Sequence, residues 1–109
     1  MASGFLGKSN PAANTWTNIY TVPTSKVASI TINACNQSAS TVAVDVVIST
    51  SSTSGGIAAS EYIEYSTTLT GVGATLERTG LVTDATNGKY VWIRSSTASV
   101  SFQVYGYEE

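Results

Sequence analysis

Apolar and polar residues alternate with period two along much of the chain. Ala28, Ile30, Ile32 and Ala34 are separated by Ser29, Thr31 and Asn33, and Val42, Val44, Val46 and Ile48 by Ala43, Asp45, Val47 and Ser49. Toward the C-terminus, Val91 and Ile93 alternate with Tyr90, Trp92 and Arg94, and Val100, Phe102 and Val104 with Ser101, Gln103 and Tyr105. Successive side chains of a strand point to opposite faces, so each run predicts a strand with one face in a core. Weaker strands are predicted over Trp16–Val22, closed by Pro23, and over Glu61–Thr67 and Ala74–Leu81. Gly-, Ser- and Asn-rich breaks separate these runs, among them Asn87-Gly88, a dipeptide suited to a tight turn because both residues tolerate positive φ. No stretch carries a helical period with caps. The pattern predicts an all-β fold: a single antiparallel β-sandwich or jelly-roll-like barrel of about seven to eight strands.

Residues 1–15 show no alternation and read as an extended N-terminal arm, with the β-sandwich domain over 16–109. Phe5 and Leu6 on a free tail would forgo about 2–3 kcal/mol of burial each. The arm is therefore expected to dock, on its own domain or on a neighbouring subunit. Residues 49–60, STSSTSGGIAAS, hold too little apolar surface to fold alone and read as a long exposed loop, a flexible connector before a contact element.

The 109 residues suffice for one domain with a modest core. Ser and Thr occupy 32 positions while charged residues make up 11%, a balance that fits weakly charged strand surface. A net charge of −2 and five scattered basic residues give no electrostatic footprint for nucleic acid or anionic membrane. Low charge also weakens the repulsion between copies, which favours self-association. The N-terminal sequence lacks a secretory apolar core, no window has the length of a membrane span, and a lone cysteine forms no internal disulfide, so a soluble chain held by packing and strand pairing is expected.

Chemistry is sparse. The chain has no histidine, which removes the commonest general base and metal ligand. Cys35 has no imidazole or second thiol to activate it or share a metal, and reads as a small side chain at a strand end, with Asn36 capping the turn that follows. Glu61 and Glu64 are three apart, on opposite faces of a regular strand, and Asp45 reads as part of a solvated strand face. Calcium-loop, phosphate-loop and nucleophile-elbow patterns are missing. Catalytic, metal and cofactor residues are therefore assigned as none, and an enzyme is not expected.

Aromatic residues carry the remaining signal. Tyr90 and Trp92 share a strand face, as do Tyr105 and Tyr107, and Tyr62 and Tyr65 lie close by. They are read first as covered or cross-strand-paired side chains, second as a subunit contact and third as a carbohydrate-stacking platform. As candidate subunit or capsid contacts the residues are Phe5, Leu6, Trp16, Tyr20, Tyr90, Trp92, Tyr105 and Tyr107.

Nearly the whole chain resembles a group of small tailed-bacteriophage structural proteins. The likeness lies in the arm residues Leu6, Gly7, Ser9, Pro11, Ala12 and Ala13, in Tyr20–Pro23, in Cys35-Asn36, in Tyr62, Ile63 and Tyr65, and in Ser95–Phe102 with Gly106; Thr70–Asp84 follows the pattern loosely. The resemblance implies a non-enzymatic all-β virion component, most simply a capsid decoration or cement protein. The alternatives are a tail, baseplate or fibre component, or a host-surface adhesin that binds carbohydrate. Implied with it are synthesis in the host cytoplasm, residence in the virion, contact with the major capsid protein or another virion protein, and a homo-oligomer, a trimer favoured, with no nucleic-acid or membrane partner.

Overall fold

The alternating runs form strands that wrap one shared core. The computed structural model describes residues 3–109, with β1 (Ser3–Ser9), β2 (Thr17–Thr21), β3 (Val27–Asn36), β4 (Val42–Ser49), β5 (Tyr62–Leu69), β6 (Thr75–Asp84), β7 (Tyr90–Ser95) and β8 (Val100–Glu108). Two four-stranded antiparallel sheets are built in the orders β1-β8-β3-β6 and β2-β7-β4-β5. Only β4 and β5 are consecutive strands of one sheet; every other connection crosses to the opposite sheet. That alternation of sheets is the eight-stranded jelly-roll path, and it bears out the sandwich expected from the alternating pattern.

The core lies between the sheets. From one side come Ile30, Ile32, Phe102 and Val104, from the other Val44, Val46, Val91 and Ile93, all buried. Each belongs to the inward set of its strand, so the residues that repeat with period two are those that meet across the sandwich.

Pairing regularity differs by position in the sheet. The central ladders β3–β8 and β4–β7 run without a register break. Each outer ladder is bulged, with the extra residue on the edge strand: Leu6 in β1, Ile19 in β2, one residue between Arg78 and Leu81 in β6, and two places in β5. A bulge bends an edge and spoils its row of free backbone groups as a template for another strand.

Residues 3–9 correct the reading of an arm. They form an edge strand of the sandwich, paired to β8 from Ser3↔Tyr107 to Ser9↔Phe102. The strand is held by backbone pairing, with Gly4, Gly7 and the bulge at Leu6 breaking the side-chain alternation that would have announced it. Leu6 turns inward and packs on the core, and Gly7 lies so close to the Ile19 carbonyl that a Cβ there would overlap it. The Asn87-Gly88 turn also differs from expectation. It joins β6 to β7 in the other sheet, and neither residue has positive φ. The turn is built instead on Asp84, whose Oδ1 accepts the N–H groups of Thr86 (2.9 Å) and Asn87 (2.7 Å). Those bonds hold the Asp84 carboxyl below its ordinary pKa. Glycine at 88 is needed for room, because a Cβ would run into Thr83 and Ile48.

Two interior details fix the register of the central strands. Gly106 has φ +148, and a Cβ there would sit 1.9 Å from the Ser29 carbonyl oxygen on the neighbouring strand. At one end of the core the Tyr20 hydroxyl donates to Glu108 Oε2 at 2.5 Å, a bond that ties β2 of one sheet to β8 of the other. Burial first, and then this bond and the charge of Glu108, raise the Tyr20 pKa, so the phenol remains a donor at any ordinary pH. Tyr20→Phe strips a buried carboxylate of this donor and is expected to cost about 1–3 kcal/mol in urea unfolding. Gly106→Ala is expected to cost about 1–3 kcal/mol or more by the same measurement, from strain and the carbonyl overlap.

Candidate functional site

The two outward faces of the sandwich are finished differently. On the β2-β7-β4-β5 face, the central outward side chains are covered by the chain itself, while Tyr65 on the edge strand β5 meets Tyr62 edge-on at 5.0 Å and is 71% exposed. Trp92 is only 8% exposed, and its indole Nε1 donates to the Ser51 carbonyl at 3.1 Å. Ser51 belongs to the serine-rich segment read from sequence as a flexible connector. The segment is ordered by short bonds: Ser51 Oγ donates to the Thr53 carbonyl (2.6 Å), and single 3₁₀ turns form at Ser54–Gly56 and Ala59–Glu61. Glu61 anchors it, accepting from Ser49 Oγ (2.7 Å), Ala58 N–H (2.7 Å) and Thr50 N–H (3.3 Å).

Asp45, expected on a solvated face, is buried there as well. Its Oδ2 meets Arg94 Nε at 3.0 Å and its Oδ1 accepts the Ser66 N–H at 2.8 Å. The Arg94 guanidinium lies 4.4 Å from the centre of the Trp16 ring, and Trp16 meets Tyr62 edge-on at 6.1 Å. A planar cation between a carboxylate and an indole closes this face with charge neutralised.

The β1-β8-β3-β6 face is open. Its cross-strand rows run Ser3–Tyr107–Ser29–Val82, then Phe5–Tyr105–Thr31, then Lys8–Gln103–Asn33–Glu77. Phe5 is 55% exposed, Tyr107 46% and Val82 68%, and Val27 is exposed at the end of the same face. Tyr105 is half-buried and its hydroxyl donates to Glu77 Oε2 at 3.1 Å; that bond first, then desolvation, raises its pKa. Lys8 Nζ lies 5.9 Å from the centre of the Phe5 ring. An open groove of about 380 Å³ between Lys8, Asn10, Ser101 and Gln103 continues the face at its polar end.

The candidate contacts therefore divide. Phe5, Tyr105 and Tyr107 come together on the open face. Trp92 is buried under its own loop, Tyr20 lies inside the sandwich, Leu6 packs on the core, and Trp16 and Tyr90 are half-buried on the opposite face. Burial of Trp92 removes it as a stacking platform. Val27, Val82, Lys8 and Glu77 complete the open face and were not singled out from sequence; Val82 lies beyond the predicted end of its strand, at Leu81.

Cys35 lies near the end of β3 as expected, continuing its outward alternation, half-buried between Ser101 and Thr75. Asn36 is the inward residue and caps the turn as expected. Its Oδ1 accepts from Ser38 N–H (2.8 Å) and Ser38 Oγ (2.9 Å), and its Nδ2 donates to the Ser40 (2.9 Å) and Leu69 (3.1 Å) carbonyls. Glu64, three residues after Glu61, faces inward at the sandwich edge, where Arg78 meets it at 3.0 Å and Thr67 donates to it at 2.5 Å.

Among the described residues no three His, Cys, Asp or Glu side chains converge as a metal site, and no helix is long and apolar enough to cross a membrane. No family model, curated protein or solved structure matches the chain.

The loop over Trp92 is acid-sensitive in a defined direction. Burial pushes the Glu61 carboxyl up, but the bonds from Ala58, Ser49 and Thr50 outweigh it, and its pKa lies below the ordinary value. A depressed folded pKa means the stabilisation is present above the unfolded value of about 4.3 and is lost as pH falls through the folded one. In a Trp16→Phe background, Trp92 emission is expected to shift red below about pH 4, and to be red-shifted already at pH 7 in Glu61→Ala. Emission unchanged in both tests removes Glu61 as the anchor.

Proposed function

We propose that this chain is a non-enzymatic virion structural protein, a capsid decoration or cement subunit that coats the head shell of a bacteriophage and takes the major capsid protein or another virion protein as its partner. It is made in the host cytoplasm and resides in the particle as a homo-oligomer. One observation carries the reading: a sheet face that leaves Phe5, Tyr107, Val27 and Val82 exposed together, while on the opposite face the chain's own loop covers Trp92 and leaves Tyr65 as the exposed aromatic. Exposed aromatic and aliphatic groups held on paired strands lose little conformational freedom on contact, which is what a binding surface needs. Isolated apolar residues are ordinary on a surface, but several gathered on one face mark an interaction site. The low charge of the chain and its likeness to phage structural proteins favour a partner of the same kind.

The double variant Phe5→Ser/Tyr107→Ser removes this surface without touching the core. Particles assembled with it are expected to carry less than a tenth of the wild-type amount of the protein, read from gel stoichiometry, while the purified variant keeps its circular dichroism spectrum. Full occupancy overturns the reading, and a copy number that follows the tail rather than the shell moves the protein to a tail component.

A further inference from the structure

We propose that the open β1-β8-β3-β6 face packs against the same face of a second copy, about a twofold axis parallel to the strands. The inference rests on the reading of this face as a contact surface and goes further by naming its occupant. Such an axis, placed between β8 and β3, lays β1 of one copy over β6 of the other and β8 over β3, each row facing its own counterpart.

The row Lys8–Gln103–Asn33–Glu77 becomes self-complementary under that operation. Lys8 meets Glu77 of the second copy, Glu77 meets its Lys8, and the two central amides face each other. Opposite charges sit at opposite ends of a single row, so the pairing forms two ion pairs and no like-charge contact within it. Rotation about the perpendicular in-plane axis lays β1 over β1 and forms neither pair.

Side-chain size matches in the other rows. β8 carries the large residues Tyr105 and Tyr107, and β3 beside it carries Thr31 and Ser29 in the same rows. Laying β8 over β3 sets Tyr107 over Ser29 of the second copy, while Tyr105 lies across its own β3 toward Glu77. Phe5 on β1 falls over the bulge of β6, where Gly80 has φ +72 and no side chain to obstruct it. Val82 on β6 falls over Ser3. Large-over-small alternation is how two sheet faces interdigitate at about 10 Å.

Area is consistent with this occupant. Four strands about 4.8 Å apart and 7 to 10 residues long present on the order of 550 Å² per copy, or roughly 1,100 Å² in all, against the ~1,000 Å² of a specific contact. The bulges on all four edge strands argue against pairing by edge extension and leave the face as the route.

The test is sedimentation equilibrium of the purified full chain, with the variants Lys8→Glu, Glu77→Lys and the two combined. Wild type is expected to be a dimer, each single variant to raise the dissociation constant tenfold or more, and the combined variant to restore the dimer, since it rebuilds both pairs with the charges exchanged. Both positions are exposed, and circular dichroism checks that each variant is folded. A wild-type monomer, a trimer, a dimer indifferent to the single variants, or a combined variant no better than either single one overturns the pairing. Because mass is read without particles, a protein that dimerises in this pattern but is absent from virions supports the pairing and counts only against the virion reading.

Discussion

The β3–β8 ladder is the constraint on which the rest of the molecule depends. Nine consecutive residue pairs, Ala28↔Glu108 through Asn36↔Val100, run without a register break through the centre of one sheet. Because side chains alternate, this one register sends Ile30, Ile32, Ala34, Phe102 and Val104 inward and Ser29, Thr31, Tyr105 and Tyr107 outward together. It also places Glu108 where Tyr20 of the opposite sheet can reach it. A slip of one residue would turn every member of both sets over at once. Gly106 makes such a slip harder still, since only a residue without Cβ passes the Ser29 carbonyl. The ladder joins β8 to β3, and β8 also receives β1, so this sheet is complete only when β8 is in place. Folding by such long-range pairing is slow by nature, and the bulged edges limit the mispairing that slow folding invites.

Outer-face chemistry then separates the two sheets. One face has a buried carboxylate, a guanidinium, an indole and a loop, each satisfied by another part of the same chain. Asp45 accepts from Arg94 and Ser66, Arg94 stacks on Trp16, and Trp92 donates to the loop that Glu61 secures. Among the described residues no loop folds back over the other face, and Phe5, Val27, Val82 and Tyr107 remain exposed there. The asymmetry gathers Phe5, Tyr107, Val27 and Val82 on one face and leaves Tyr65 as the exposed aromatic of the other.

Much of this was legible in the sequence, and the misses share a cause. β3, β4, β7 and β8 have unbroken alternation because they are the regular, central strands, buried on at least one face along their length. β1, β5 and β6 are edge strands whose bulges shift the period, so Gly4–Gly7 reads as an arm and the ends of β5 and β6 run past Thr67 and Leu81 to Leu69 and Asp84. Asn36 was readable because a turn-capping amide acts within four residues, apart from its bond to Leu69. The burial of Trp92 and Asp45 was not, because what covers them is a serine-rich loop in one case and a residue 49 positions away in the other. Of the contact candidates, alternation placed Tyr105 and Tyr107 on one face correctly, but it carried no information about which outward faces the chain would later cover.

Bulge placement bears on how copies of such a protein meet. A sheet can join another molecule through its edge, where backbone groups are free, or through its face, where side chains decide. All four edge strands carry an extra residue opposite their neighbour, and the two central ladders carry none. Edge joining is insensitive to sequence, since any extended chain supplies the same N–H and C=O groups; face joining depends on the size and charge of particular side chains. With bulges on every edge strand, joining through backbone groups is disfavoured, and in the proposed pairing the choice of partner falls to side chains. In that pairing the central rows, from Tyr107 and Ser29 to Gln103 and Asn33, carry the choice.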